Sequence, residues 1–147
     1  MKLLITSYAY VIVDKPNYNI PIDNAHIYEN NKFMRDGKFW HITIVDPFEL
    51  SMLIRNNITK NQAKDIFLQE MHVIFNEIVK STPEYIGVGS TSDSLNTAYY
   101  VICNWENAQE FRKLYLLPKK DFHITLGFDR KDVHDRAKDI STLITHA

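Results

Sequence analysis

The sequence predicts one α+β domain over residues 1–147, on three observations. Short runs rich in β-branched and aromatic residues recur at 3–13, 39–45, 84–89, 97–105 and 122–128. Two stretches carry helical periodicity, a long one at 59–80 and a short one at 106–116. In chain order the elements read β, β, α, β, β, α, β, the mixture of short strands and two main helices expected of an α+β fold.

Residues 3–13 form the first strand and stop at Asp14-Lys15-Pro16. Residues 14–37 are polar and rich in Asn, with Pro21 and Gly37. They read as a long connection that is either functional or holds a short element with no clear signature. "FWHITIV" at 39–45 is a strand that ends at Asp46-Pro47. The long helix opens with Thr59 and Gln62 in capping-box spacing. Ala63, Ile66, Phe67, Met71, Ile74, Phe75 and Ile78 form its apolar stripe, with His72 off it, and Ser81-Thr82-Pro83 ends it. "EYIGVG" and "TAYYVICNW" are strands on either side of the loop "STSDSLN". In the second helix Ala108, Phe111 and Tyr115 point inward and Arg112 and Lys113 outward, with Pro118 closing it. "FHITLGF" is the next strand, and the polar remainder forms a short helix or a strand tail.

Composition narrows the function. A chain of this length can bury a core of its own, and 45% hydrophobic with 24% charged residues is ordinary for a soluble protein. A formal net charge of −1 lacks the basic surface that long nucleic acid demands. No long duplex nucleic acid is therefore expected as a partner, while a small nucleotide or an RNA end stays open. The one cysteine, Cys103, reads as a small core residue and can form no disulfide within the chain, which points to a reducing, cytoplasmic location. No apolar run reaches the roughly 18 residues of a membrane span, so no membrane partner is expected. "MKLLITSYAYVIV" is interrupted by Thr6, Ser7, Tyr8 and Tyr10 and reads as a strand rather than a leader.

The chain spends two of its six histidines on nearly the same tetrapeptide, "HITI" at 41–44 and "HITL" at 123–126, each preceded by an aromatic residue. Residues i and i+2 of a strand share a face. His41 and Thr43 therefore project together, as do His123 and Thr125, with Ile42, Ile44, Ile124 and Leu126 opposite. Two imidazoles can divide the proton transfers of one reaction, since their unperturbed value lies near 6.5. Threonine hydroxyls can hydrogen-bond the non-bridging oxygens of a phosphoryl group. Such a set needs no metal and no cofactor. Two other readings stand beside it: a pair of similar core strands, or a zinc site using His41 and His123 with a carboxylate or Cys103. Neither motif has a second ligand at i+2 or i+4, and Asp132 with His134 is the only near-ligand pair. "GVGS" at 87–90 is too short for a phosphate loop, and no Gly-x-Ser-x-Gly elbow occurs.

Two H-x-[ST] motifs in one small domain resemble the signature of the 2H phosphoesterase superfamily, also called LigT-like. The block "FRKLYLLPKKDFHITLGF" with "DRKDVHD" after it looks more specifically like the Swiss-Army-Knife branch, associated with RNA repair. The resemblance implies a bilobal, pseudo-symmetric domain whose antiparallel sheets form a concave central cleft with the helices outside. It implies metal-independent phosphodiester cleavage, with His41 and His123 as the acid–base pair and Thr43 and Thr125 as phosphate donors. Family substrates include 2′,3′-cyclic phosphates, 2′-5′ linkages and cyclic dinucleotide messengers. Compact viral members of the superfamily destroy immune signals such as cyclic GMP–AMP, which would place the chain in a host cytosol. An RNA-end processing enzyme and an inactive nucleotide-binding module are the alternatives. Tyr8, Tyr10, Trp40, Phe122 and Lys120 are the further candidates for substrate contacts; Tyr99, Tyr100 and Lys119 also neighbour the motif strands. Asp132 and His134 follow the second motif in a pattern of the branch, with no role assigned.

Overall fold

The structure of the protein, a computed structural model, describes residues 1–58 and 64–146. Its strands are β1 (Lys2–Ile5), β2 (Ala9–Val13), β3 (Trp40–Val45), β4 (Glu84–Ser92), β5 (Thr97–Asn104), β6 (Phe122–Phe128) and β7 (Leu143–His146). Its helices are α1 (Ala25–Asp36), α2 (Pro47–Asn57), α3 (Lys64–Phe75) and α4 (Glu106–Leu114). The strands make two antiparallel sheets, of order β1-β2-β3 and β6-β5-β4-β7, so the chain is α+β. Among the described residues no helix is long and apolar enough to cross a membrane.

Several elements differ from the sequence expectation. The run 3–13 is a hairpin, with Leu3 opposite Val11 and the Thr6 N–H donating to the Tyr8 carbonyl at 2.9 Å in the turn. Ser7, a weak turn former, is the sole mark of that turn, and Gly, Pro, Asn and Asp are missing from it. The polar stretch 14–37 contains α1, whose only buried side chain is Lys32. A helix with no apolar stripe gives no periodicity to detect. Asp46-Pro47 ends β3 and also starts α2, because Pro47 occupies a first-turn position where its missing N–H costs nothing. Asp46 accepts from the Glu49 N–H at 2.7 Å and Glu49 accepts from the Asp46 N–H at 3.1 Å, a capping box. The box expected at Thr59 and Gln62, with Ala63, lies outside the described residues. In α3 only Phe67, Met71 and Phe75 are buried, followed by Ile78; Ile66 and Ile74 are exposed.

Contacts along the chain divide it into two compact units. The first comprises Met1–Ile12, Thr43–Pro83 and Trp105–Lys120. Its core includes Val11, Ile44, Leu50, Met71, Phe75, Ile78, Trp105 and Phe111. Each such side chain contributes roughly 1.5–3 kcal/mol by leaving water. The Phe75 and Phe111 rings meet at 5.1 Å. Arg112, expected to point outward, is only 2% exposed. Its guanidinium grips both Glu49 oxygens, at 2.8 and 2.7 Å, and donates to the carbonyls of Ile44 and Pro118. Every guanidinium donor direction is used, which makes the burial tolerable. The arginine thereby ties α4, α2 and the end of β3 together.

The second unit comprises Val13–Ile42, Glu84–Asn104 and Asp121–Ala147. It holds the four-stranded sheet, with α1 lying on the edge strand β6. Gly127 permits that approach: a Cβ there would stand 2.6 Å from the backbone of Tyr28. Opposite β5, the step from Thr125 to Gly127 takes one extra residue, Leu126, so β6 bulges. The strict alternation expected along "FHITLGF" stops at Thr125, and Leu126 lines a cavity beside α1 instead. Cys103 is buried as expected, and burial pushes its thiol up to about 12.

Candidate active site

His41, His123 and Thr125 all belong to the second unit, whereas Thr43 is the first residue of the next segment and belongs to the other unit. Ile42 and Ile44 are fully buried, which is the alternation that the "HITI" reading requires. The chain reaches β3 from α1 through Gly37, which ends the helix at φ 73° and donates to the Phe33 carbonyl at 2.7 Å. A residue with a Cβ would be strained there. The last turns of α1 deliver charge to the start of β3. Lys32 is buried, donates to the Phe39 carbonyl and lies 4.3 Å from the Trp40 ring centroid. Arg35 chelates Asp36 through two bonds of 2.7 Å.

Arg35 also reaches across to Asp132, donating at 2.8 Å. Asp132 is the hub of the unit's polar interior. Its carboxylate, 4% exposed, also accepts from Lys138 Nζ at 3.0 Å and from the Thr125 hydroxyl at 3.4 Å. Lys138 in turn stands 3.5 Å from His123 Nε2 and 5.3 Å from the centroid of the Tyr100 ring. The other ring nitrogen of His123 lies 3.0 Å from the Asp121 carbonyl, and Tyr100 meets the imidazole edge-on at 5.6 Å. Val133, packed with Ala98 and Phe128, anchors the segment that carries Asp132.

The electrostatics follow from burial and from these pairs. Burial pushes the Asp132 carboxyl up, but Lys138 and Arg35 more than offset it and hold the group far below the usual carboxylate range. Burial lowers His41, and the charges of Asp36 and Asp132 oppose that while those of Arg35 and Lys32 add to it. Asp132 therefore acts electrostatically on His41, bonds Thr125, and reaches His123 through Lys138. Two imidazoles, a hydroxyl and three cations (Lys32, Arg35 and Lys138) interleaved with carboxylates are assembled within one unit. Chemically, such a set can exchange protons at two nitrogens beside an anionic ligand.

The remaining candidates have these surroundings. Phe122 is 1% exposed in the sheet core, so it offers no ring to a substrate. Trp40 lines an open cavity of about 410 Å³ with Lys15, Tyr18, Ile20, Lys32 and Leu126, a lining that includes neither His41 nor His123. Tyr8 and Tyr10 belong to the first unit and stack on each other at 4.2 Å. Lys120 is also in the first unit, where its backbone is bonded both ways to the Gln109 side chain. Tyr99 meets Tyr28 edge-on, and the Tyr100 hydroxyl donates to Thr142 at 2.7 Å. His134 is exposed, and Asp132 faces two cations rather than a ligand partner. Among the described residues no three His, Cys, Asp or Glu side chains stand close enough to share a metal ion. Sequence reasoning missed Arg35 and Lys138. Each lies outside any motif, and the burial of Asp132 that calls for them shows only in the fold.

No curated protein and no solved structure matches the chain. The model of one family, the Swiss Army Knife 2H phosphoesterase domain, matches residues 6–134, a span that holds both His-x-Thr strands, α1 and Asp132. Phosphoesterase chemistry in general comes with that match. The chain therefore belongs to the Swiss Army Knife family of 2H phosphoesterase domains.

Proposed function

We propose that this domain is a phosphodiesterase acting on a small nucleotide, with His41 and His123 as the acid–base pair. The observation that carries the reading is the common neighbourhood of His41, Thr125 and His123 around Asp132, Arg35 and Lys138. One imidazole takes the proton of the attacking oxygen, and the other gives a proton to the leaving oxygen. Arg35, whose side chain is 34% exposed, supplies positive charge where the phosphoryl oxygens gather it, a task that elsewhere falls to a metal ion. Thr125 donates to those oxygens. In the free protein the one proton of Thr125 points at Asp132, so the hydroxyl rotates when an anion arrives.

Suitable substrates are 2′,3′-cyclic phosphates, 2′-5′ linked oligonucleotides and cyclic dinucleotides such as cyclic GMP–AMP, in RNA-end processing or in removal of an immune signal. A net charge of −1 supports a small ligand over a long duplex. The test is product analysis by mass spectrometry over a panel of these three classes, with wild type, His41→Ala and His123→Ala, in EDTA. Wild type should turn over at least one class with a bell-shaped pH–rate profile, and each variant should lose about 10²-fold or more. Full activity in either variant would remove the acid–base assignment. Tight binding of the panel without product would leave a nucleotide-binding module.

A further inference from the structure

Lys138 is a nearly buried cation, 5% exposed, placed against a histidine ring nitrogen. That is an unusual neighbour for an imidazole meant to carry a proton. The two sides of the His123 ring constrain each other. A carbonyl oxygen can only accept, so the 3.0 Å contact of Nδ1 with the Asp121 carbonyl places the ring proton on Nδ1. An ammonium can only donate, so the 3.5 Å contact of Lys138 with Nε2 requires a lone pair there. A second proton on Nε2 would face the positive charge of Lys138 directly. The lysine is held in place by Asp132 at 3.0 Å, which is itself braced by Arg35 at 2.8 Å. The ammonium also lies over the Tyr100 ring, 5.3 Å from its centroid.

We propose that Lys138, clamped by Asp132, is a positioning residue that holds His123 in the neutral Nδ1–H form with Nε2 bare, and so makes His123 the base of the histidine pair. In the step this supports, Nε2 takes the proton of the attacking oxygen as that oxygen bonds to phosphorus. The bond from phosphorus to the leaving oxygen breaks, and His41 returns a proton to that oxygen. The anionic phosphodiester draws the proton onto His41 against the effect of burial. Groups that bear on His123 include Lys138 and Asp132 from the segment after β6, Arg35 of α1 through Asp132, Tyr100 of β5, and Asp121 and Asp139, whose charges reach Tyr100. Lys138 stands 3.5 Å from Nε2.

The kinetic part rests on the proposed function, but the ring state does not, so the two can fail separately. Nitrogen NMR of ¹⁵N-histidine-labelled wild type should show His123 neutral near neutral pH, with Nδ1 protonated. In Lys138→Met, whose side chain fills the same space, the His123 titration should move to higher pH by about half a unit or more, since a neighbouring cation has been removed. Lys138→Arg should stay near wild type. With a turned-over substrate, the acidic limb of kcat/KM should move in the same direction, because it reports the base of the free enzyme. An Nε2-protonated neutral ring in wild type, or a Lys138→Met titration that stays put or moves down, would overturn the proposal. If Lys138→Met does not fold, the wild-type ring state and Lys138→Arg decide it alone. If the NMR behaves as expected and no nucleotide is cleaved, the positioning stands and the phosphodiesterase reading falls.

Discussion

The two His-Ile-Thr strands carry the same letters on edge strands of two different sheets, yet their histidines sit in different physical settings. His123 is pinned at both ring nitrogens, by a backbone carbonyl and by a lysine. His41 is governed by burial and by a mixed field of four charges from α1 and Asp132. Thr125 lies in the same unit as its histidine, before a bulge, with its hydroxyl on Asp132; Thr43 begins a segment of the other unit. Repetition of a motif thus reproduces a geometry along the strand, His and Thr on one face. It does not reproduce the surroundings that set protonation, because those come from residues distant in sequence. A duplicated motif can in this way supply two unlike partners for one reaction.

The largest effect should come from removing the hub beside β6. Asp132→Asn leaves Arg35 and Lys138 facing an uncharged amide, and breaking such a buried pair costs about 3–5 kcal/mol. In thermal melts that is a drop in Tm of about 10 °C or more at this size. Asp36→Asn, on the His41 side, removes a partner of the more exposed Arg35 face and should cost about 1 kcal/mol. Equal losses would erase the contrast drawn between the two strands.

Acid should expose the same asymmetry. The folded Asp132 is held below its unfolded value, so its contribution is fully present above the ordinary carboxylate range of about 4 and is lost as pH falls through the folded value. Urea titrations of wild type should lose stability progressively below about pH 4, and Asp132→Asn should lack that component. A wild type and variant with the same acid slope would show that Asp132 does not bear this charge.

A smaller effect should come from Thr125. On the proposed function Thr125→Val removes one donor to a phosphoryl oxygen and should lower kcat/KM by about 10²-fold. Wild-type kcat/KM in Thr125→Val would take that hydroxyl off the phosphate.

The smallest effect concerns His41 and stability. Its folded value lies below its unfolded value, so the folded state binds fewer protons and loses stability as pH falls through the ordinary histidine range near 6.5. His41→Gln should flatten that part of the stability profile; an unchanged slope would contradict the burial of the imidazole.

What could be read from the sequence was whatever announced itself by periodicity or by motif. The strands of 84–105 and 122–128 did so through β-branched and aromatic runs, and the His-x-Thr pairs through repetition. Helix α1 did not, because polar bonds hold it. Asn31 donates to the carbonyls of Phe128 and Asp129, Lys32 to Phe39, and Arg35 to Asp132. Arg112 was misplaced for a related reason, since a charged side chain reads as solvated until its partner is known, and Glu49 lies far away in the chain. Lys138 and Arg35 fall outside every local pattern. Long-range ion pairs leave no trace in a window of ten residues, and here they build the electrostatic part of the candidate site.

The claim that both strands serve one phosphate is tested most directly by a double-variant cycle on kcat with His41→Ala, His123→Ala and the two combined. Histidines that act as one acid–base unit give strongly non-additive losses, so the combined variant should be about as impaired as the worse single variant. Losses that multiply, or a single variant with wild-type kcat, would contradict the account.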